Sequence, residues 1–327
     1  MFDSTVSRRG LMAIAGLYAL HNRALAQPAW PARPIRLVVP GPPGAGSDIF
    51  ARLLSIPLGE ALKQPVLVDN KAGANGLIGN DTVAKAAHDG YTILLSPSSA
   101  IAINPIIQPK MPYDALTDLQ PVAQVGSAGV LLVAHPSTGF KSLADLVRHA
   151  KAHPDKLAYG SWGSGSTGHL VMEGIKTQYG LTMPHVPYKG VSPLVNDLLG
   201  NTVSVGFVDI ASPVPQIRAG KLTALGCTGS SRGPALPELA TLSEQGYKFD
   251  ADGWYGIFAP AGTPRETVLR LNQEVNRILA TDDTVQKFAA QNMPRPPIKS
   301  ADEFAATVRR DIAAWQELAR VAQLKID

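Results

Sequence analysis

Hydrophobic and polar positions follow two alternating patterns in the first third of the chain. Short apolar runs rich in β-branched residues predict buried strands at 35–40, 65–70 and 91–96. Between them, apolar residues recur at helical spacing from Asp48 onward and from Leu77 to about Ala87. The order strand, helix, strand, helix, strand indicates βαβ units and therefore a parallel sheet.

Two residues indicate where the first predicted helix begins and whether it is continuous. Asp48 is expected to cap its N-terminus, because a short polar side chain can accept a hydrogen bond from the first free amides. Pro57 is expected to kink or divide the helix, since proline lacks the backbone donor that a helix interior needs.

The same alternation restarts after a proline-rich stretch and predicts a second α/β unit. Its strands are predicted at 130–136, 157–161, 184–188, 203–208 and 221–226. Its helices are predicted at 142–153, 167–179 and 191–199. A late strand at 253–259 and two or three amphipathic helices, including 264–280 and 301–324, end the chain. The pattern predicts a two-lobed α/β fold with a ligand cleft between the domains.

We expect the first domain to comprise residues 27–126 and 251–327, and the second to comprise residues 127–250. Residues 1–26 read instead as a signal peptide. Arg8 and Arg9 precede the apolar run 11–20, and an Ala-Leu-Ala site follows at 24–26. Ten apolar residues span about 15 Å as a helix, half of a bilayer core of about 30 Å. The segment therefore predicts export to the periplasm, by the Sec or the twin-arginine route.

Charge and cysteine content narrow the classes of function. The chain of 327 residues has 30 basic and 26 acidic residues. Removal of 1–26 takes three basic residues and one acidic residue away, which leaves 27 against 25, a net charge of +2. This balance gives no support for a nucleic-acid surface. Cys227 is the single cysteine, so an intramolecular disulfide framework and a multi-cysteine metal site are excluded.

A glycine-rich loop follows the first predicted strand and leads into a helix. Its candidate binding residues are Pro43, Gly44, Ala45, Gly46, Ser47 and Asp48. Glycines let a ligand approach the backbone, and the free amides of a helix N-terminus attract an anion such as a carboxylate. The loop lacks the Lys-Ser/Thr of a phosphate-binding P-loop. A tight turn capped by Asp48 explains the same residues without a ligand.

A second loop has the same position in the second unit. Its candidate binding residues are Ser161, Gly163, Ser164, Gly165, Ser166 and Thr167. With Gly168 the loop satisfies the G-x-G-x-x-G pattern of a dinucleotide site, but the acid expected at the end of the next strand is missing. Hydroxyl-rich loop positions facing a small anion fit these residues better.

Catalytic and metal-binding patterns are weak. No serine lies in a G-x-S-x-G nucleophile elbow. His149 and His153 are four apart on a predicted helix, but a solvated helix end explains them without a metal. His169 and Glu173 are expected to form a structural hydrogen-bonded pair. The sequence thus predicts no catalytic residues, no metal and no cofactor.

With these loops in place, the whole chain resembles the Bug-type solute receptors of tripartite tricarboxylate transporters. The resemblance is carried by segments 30–52, 66–79 (VLVDNKAGANGLIG), 89–95, 104–114, 156–170 (KLAYGSWGSGSTGHL), 185–190 (HVPYKG), 220–228, 241–247 and 253–264 (GWYGIFAPAGTP). It implies a periplasmic-binding-protein fold of type II character that closes over a small organic carboxylate and delivers it to membrane permease subunits. Main-chain amides, hydroxyls and waters of the two loops would hold the carboxylate, without an arginine salt bridge.

The resemblance also implies a role for Asp209, which lies where family members often place an acid that reaches the cleft. A cap for a helix starting near Ser212 explains the same residue equally well. Ala45 and Trp162 depart from the family pattern, which has glycine and a small residue there. We expect a monomer without catalytic activity. A ligand-presenting sensor protein, or a secreted α/β enzyme that uses the loop Gly163–Gly168, are the alternatives.

Overall fold

The computed structural model describes residues 30–107, 110–229, 231–247 and 253–321. The predicted signal peptide, 1–26, lies outside the described residues. Within these ranges no helix combines the length and the apolar character that crossing a membrane requires.

The first of two sheets is mixed, with strand order β2-β1-β3-β10-β4. Its strands are β1 (Ile35–Val39), β2 (Val66–Asn70), β3 (Thr92–Pro97), β4 (Leu119–Ala128) and β10 (Gly253–Pro260). The predicted parallel unit is present, since β1 pairs in parallel with both β2 and β3. The late strand β10 inserts antiparallel between β3 and β4.

The second sheet has strand order β7-β6-β8-β5-β9. Its strands are β5 (Leu131–Ala134), β6 (Tyr159–Ser161), β7 (His185–Pro187), β8 (Val205–Val208) and β9 (Thr223–Cys227). Strand β6 pairs in parallel with β7 and β8, whereas β5 pairs antiparallel with β8 and β9. Two sheets with helices packed on them form the two-lobed α/β fold that the sequence predicts.

Ten α-helices of four or more residues lie within the described ranges. They are α1 (Gly46–Leu62), α2 (Leu77–Ala84), α3 (Asn104–Ile107), α4 (Leu143–Ala152), α5 (Thr167–Tyr179), α6 (Val191–Leu199), α7 (Val214–Arg218), α8 (Arg265–Leu279), α9 (Asp282–Ala290) and α10 (Ala301–Val321). The bounds of α5 and α6 coincide with the predicted ones.

The structure corrects two points about α1. Pro57 does not divide the helix, which continues to Leu62 and is followed by its C-cap, Lys63, in the left-handed conformation. Asp48 does not occupy the N-cap position, because the helix begins two residues earlier and Ala45 is its N-cap. From the third helical position the Asp48 carboxylate reaches back and accepts the amide of Gly44 at 2.9 Å.

Helix α1 is held under the first sheet by an aromatic cluster. The ring of Phe50 lies 5.0 Å from that of Phe288 and 5.2 Å from that of Tyr255. All three residues are buried in the same core. Aromatic pairs at these distances stabilise the packing beyond their buried area. This cluster fixes the N-terminus of α1 beside the first residues of β10.

Candidate ligand-binding site

A cavity lies between the two sheets. Loops that follow β1, β2 and β3 line it from the first sheet, and loops that follow β6, β7 and β8 line it from the second. The start of β10 and the residues joining β4 to β5 complete the lining of the cavity. This is the position where ligands bind in open α/β sheets, beyond the carboxyl ends of parallel strands.

The structure places five of the thirteen predicted site residues at the cavity. They are Ala45, Gly46, Ser47, Thr167 and Asp209. The other eight lie outside the lining, namely Pro43, Gly44, Asp48, Ser161, Gly163, Ser164, Gly165 and Ser166, and Pro43 and Gly44 among them are exposed. Both predicted loops therefore meet at one cavity, but most of their residues do not line it.

The N-terminus of α1 points its first amides at the cavity. The amide of Gly46 donates to Oδ2 of Asp209 at 3.2 Å, and Ser47 adds a further first-turn amide and a hydroxyl. The free amides of a first helical turn carry partial positive charge. Because the Gly46 amide is taken by Asp209, the Ser47 amide and hydroxyl are the groups that this end of α1 offers to a solute carboxylate.

The N-terminus of α5 faces the same cavity from the second sheet. Ser166 is its N-cap, and the Ser166 hydroxyl accepts the amide of His169 at 3.2 Å. The next residue, Thr167, lines the cavity with its backbone at the first helical position. Two helix N-termini from opposite sheets thus line one cavity, and the partial positive charge at each of them favours an anion there.

Asp209 combines the two roles that the sequence left open. Its Oδ1 atom accepts the amides of Ala211 and Ser212, both at 2.8 Å, as a turn cap does. Its Oδ2 atom accepts the Ser212 hydroxyl at 2.7 Å and the amide of Gly46 on the other side of the cavity. A carboxylate offers about four acceptor sites, so Asp209 is fully used. It therefore cannot serve as a free acceptor for an ammonium group.

The hydroxyl of Tyr255 also lies beside Gly46 and Asp209. A Cβ atom added to Gly46 would meet the Tyr255 oxygen at 2.5 Å and Oδ1 of Asp209 at 2.7 Å. Burial raises the pKa of Tyr255 well above its ordinary value, and the nearby Asp209 charge raises it further. Tyr255 is therefore a neutral phenol and a potential hydrogen-bond donor at the cavity wall.

Asp48 supports the first loop from behind. Besides the Gly44 amide, its carboxylate accepts both the guanidinium of Arg52 and the side-chain amide of Asn70 at 3.0 Å. Burial opposes ionisation of Asp48, but the hydrogen bonds from Arg52, Gly44 and Asn70 together lower its pKa. The charge of Asp48 is thus neutralised locally, and it fixes the loop instead of facing a solute.

Sequence reasoning missed Ser99, which lines the cavity after β3. Ser99 is 1% exposed, and its hydroxyl has no hydrogen-bond partner among the described residues. A buried hydroxyl without a partner costs free energy, so a solute atom that pairs with it is stabilised. Its position at the carboxyl end of a strand was the available signal.

Asn75 was also missed, and it joins the two sides of the cleft. Its side-chain amide donates to the carbonyl of Gly165 at 3.2 Å and to Oδ1 of Asn104 at 2.8 Å. Its backbone has a φ of 50°, the left-handed conformation that asparagine tolerates well. The sequence signal is the turn-rich Gly-Ala-Asn-Gly motif at 73–76.

Aromatic residues near the cleft have different roles. Trp162 lines the cavity, with its ring against the Cα atom of Gly168. Trp254 also lines it, but its indole nitrogen donates away from the cavity to Asp311 at 2.7 Å. Tyr188 lies outside the lining, and its hydroxyl donates to Asp197 at 2.8 Å. Across the described part of the chain, no three acidic, histidine or cysteine side chains cluster at metal-binding distance.

Comparison with known proteins identifies the relatives of this chain. A family profile described as "Tripartite tricarboxylate transporter family receptor" matches residues 50–323. Protein BugT of Bordetella pertussis is 37% identical over 97% of this chain and 98% of its own length.

Solved structures agree with this relationship. The Rpa4515 protein of R. palustris with adipate has a TM-score of 0.87 and 34% identity, covering 90% of this chain and 99% of its own. MatC from Rhodopseudomonas palustris with bound malate has a TM-score of 0.83 and 29% identity, covering 88% and 99%. The chain belongs to the receptor family of the tripartite tricarboxylate transporters.

Proposed function

We propose that this protein captures a small organic carboxylate in the periplasm by closure of its two lobes, and delivers it to the permease subunits of a tripartite tricarboxylate transporter. The observation that carries the proposal is the convergence of two helix N-termini, those of α1 and α5, on one cavity between the sheets. Family membership and the carboxylates in two structural neighbours support it.

Neutral donors suit reversible capture of an anion. Among the described lining residues Lys189 is the one cation, and its side chain is largely exposed. Backbone amides and hydroxyls hold a carboxylate with charge-assisted hydrogen bonds and without the desolvation cost of a buried counter-charge. Binding and release can then be controlled by lobe movement.

Lobe closure is supported by hydrogen bonds across the cleft. The hydroxyl of Ser192, at the start of α6, donates to the carbonyl of Pro43 at 3.0 Å. Asn75 to Gly165 and Gly46 to Asp209 are two further cross-cleft bonds. We infer that a carboxylate contacting both helix N-termini shifts the population toward this closed arrangement.

The binding residues predicted from the sequence remain part of this proposal in two groups. Ala45, Gly46, Ser47, Thr167 and Asp209, with the added Ser99 and Tyr255, would face the solute. The others would hold the two loops in place. The domain boundaries, 27–126 with 251–327 and 127–250, are also proposals, supported by the division of strands between the two sheets.

We infer further that the protein is a monomer exported by its N-terminal segment, with no catalytic activity. The match to a receptor family supports a binding role over the enzyme alternative. A sensor role, in which the loaded receptor signals to a membrane kinase, uses the same site and is separated from transport by genetic tests.

A thermal-shift screen of residues 27–327 tests the proposal. The panel holds adipate, malate, tricarboxylates, amino acids and aromatic acids, each with its matched neutral amide. A solute at one hundred times its dissociation constant stabilises by about 2.7 kcal/mol. We expect stabilisation by at least one carboxylate and none by its amide. If the folded protein shows no thermal stabilisation with any member of the panel, the proposal is wrong.

A further inference from the structure

A stack of three rings lies behind the second loop of the cavity. Tyr159 of β6 pairs in register with His185 of β7, and their rings lie 4.9 Å apart. The ring of His169, from the first turn of α5, stacks on His185 at 4.0 Å with an interplanar angle of 9°. Neither histidine lines the cavity, and the proposed function uses neither.

Each imidazole holds one point of the loop between β6 and α5. The amide of Gly165 donates to Nδ1 of His169 at 2.9 Å. The Nε2 atom of His185 lies 2.7 Å from the hydroxyl of Ser161. Ser161 in turn donates to the carbonyl of Gly163 at 3.0 Å and accepts the Ser166 hydroxyl at 3.1 Å. The two histidines therefore fix both ends of the loop that carries Trp162 and leads to Thr167.

These bonds dictate the protonation state of His169. Because the Gly165 amide is a donor, Nδ1 of His169 must be the acceptor, which requires an unprotonated Nδ1. The neutral Nε2–H tautomer satisfies this requirement, whereas a protonated imidazole has no acceptor. The stack thus holds the loop only while His169 is uncharged.

Charged groups around the stack also favour neutral imidazoles. Glu173 of α5 is engaged by the Tyr159 hydroxyl and by the Lys176 ammonium at 2.7 Å. The same Lys176 lies 5.6 Å from the centre of the Tyr159 ring. Burial, then His169 and Lys176, lower the pKa of His185 to about 3. Burial lowers the pKa of His169 too, against an opposing effect of Glu173.

We propose that His185 and His169, the latter as a neutral imidazole, are positioning residues that hold loop 161–167 in the conformation that receives the solute. Their removal then weakens solute binding although they touch no solute. The inference rests on the proposed function for the identity of the cavity as the binding site. Its structural part, the anchoring of the loop, stands independently of which solute binds.

Three substitutions separate anchoring from general packing. His169→Leu removes the acceptor for the Gly165 amide, and His169→Asn supplies an alternative acceptor. His185→Phe retains the ring stack and removes the nitrogen that meets Ser161. His153→Leu, at the exposed end of α4, is the matched control.

Hydrogen exchange of the peptide covering 161–169 gives the solute-independent readout. We expect this peptide to exchange at least tenfold faster in His169→Leu and His185→Phe, and close to wild type in His169→Asn and His153→Leu. Adipate affinity should fall in the same order. Nitrogen NMR at about pH 6, below the ordinary histidine pKa of about 6.5, should show a neutral His169 with its proton on Nε2.

Unchanged loop exchange in His169→Leu, equal acceleration in His169→Leu and His169→Asn, or a protonated His169 at about pH 6 would overturn the inference. If adipate does not bind the wild-type protein, the strongest carboxylate of the panel replaces it in the affinity measurement, and only failure of the whole panel counts against the proposed function. The exchange comparison would then still decide the role of the imidazoles.

Discussion

The buried polar side chains that line the cavity differ in how much of their hydrogen-bonding capacity is used within the protein. Asp209 uses all its acceptor capacity within the protein, whereas the Ser99 hydroxyl has no partner among the described residues. Unpaired buried groups are rare because they cost free energy, and at a binding site a ligand can supply the missing partner. This contrast separates residues that shape the site from a residue that we expect to contact the solute.

Ser99→Ala should weaken binding of the strongest carboxylate in the panel about fivefold, because a net hydrogen bond contributes about 1 kcal/mol. Without solute, the melting temperature of this variant should equal or exceed that of the wild type, because removal of the Ser99 hydroxyl leaves no hydrogen-bond partner unpaired. Calorimetric titration and thermal melting check the two expectations.

Ser98→Ala, at the neighbouring residue that also lines the cavity, is the stability control for that substitution. The Ser98 hydroxyl accepts the backbone amide of Trp254 at 3.2 Å, so its removal leaves a buried donor unpaired. We expect a lower melting temperature in this variant. Equal affinity in Ser99→Ala and wild type would remove Ser99 from the site.

The buried histidines predict how stability depends on pH. Unfolded histidines have a pKa of about 6.5, whereas burial lowers the pKa of His169 and brings that of His185 to about 3. The unfolded chain therefore binds more protons below about pH 6.5, and the free energy of unfolding falls as pH drops from there toward about 3.

Denaturant titrations at several pH values measure this dependence, with His185→Phe as the comparison. The variant lacks one of the two groups, so its free energy of unfolding should fall less steeply over the same range. Parallel pH profiles in the two proteins would show that His185 does not contribute to the pH dependence of stability.

At the scale of elements, the site depends on where α1 begins. Gly46 is the first residue of the helix and lies against Tyr255 and Asp209 from opposite sides of the cleft. Gly46→Ala would place a methyl group 2.7 Å from Oδ1 of Asp209 on the opposite side of the cleft, and 2.5 Å from the Tyr255 hydroxyl on its own side. The contact with Asp209 forces the two sides apart. We expect affinity for the panel carboxylate to fall at least tenfold, measured by calorimetry.

Gly200→Ala provides the control, because an added Cβ there meets its nearest neighbour at 3.5 Å, an ordinary contact. It should bind like the wild type. If Gly46→Ala also binds like the wild type, the N-terminus of α1 does not carry the carboxylate.

The hydrophobic pattern predicted most elements but not the strand β4. Helices α5 and α6 have strong periodicity and end signals, and their predicted bounds agree with the structure. Strand β4 begins Leu-Gln-Pro, and its polar residues and Pro121 conceal the alternation that marks a strand. It forms because β10, more than 120 residues later, pairs along its whole length. Local sequence carries no signal for that partner.

The candidate site, too, could be predicted from the sequence only in part. Loops at strand ends were identifiable because glycine, serine and helix starts follow apolar runs. The sequence did not show which side chains face the cavity, because Ser161 hydrogen-bonds to His185 and Asp48 to Arg52 instead. Those directions depend on residues that are distant in sequence or on the register of the helix start.

In the proposed function, closure of the whole molecule links binding to delivery. The three cross-cleft hydrogen bonds named above join loops from both lobes, and we expect a bound carboxylate to add contacts to both helix N-termini. A partner that recognises the closed form then distinguishes loaded from empty receptor.

Genetics tests this link. A strain lacking the gene should lose uptake of the panel carboxylate, and the wild-type gene should restore it whereas the Gly46→Ala gene should not. Loss of transcriptional induction with unchanged uptake would contradict the transport role and favour the sensor role.

We expect the cavity between the lobes to receive a carboxylate through neutral donors. This is tested by paired calorimetric titration of the strongest panel carboxylate and its matched carboxamide into residues 27–327. One carboxylate should bind per chain with saturation, and the amide should bind at least tenfold more weakly. Equal affinity for the two, or binding of the amide alone, would show that neutral donors in this cavity do not select a carboxylate.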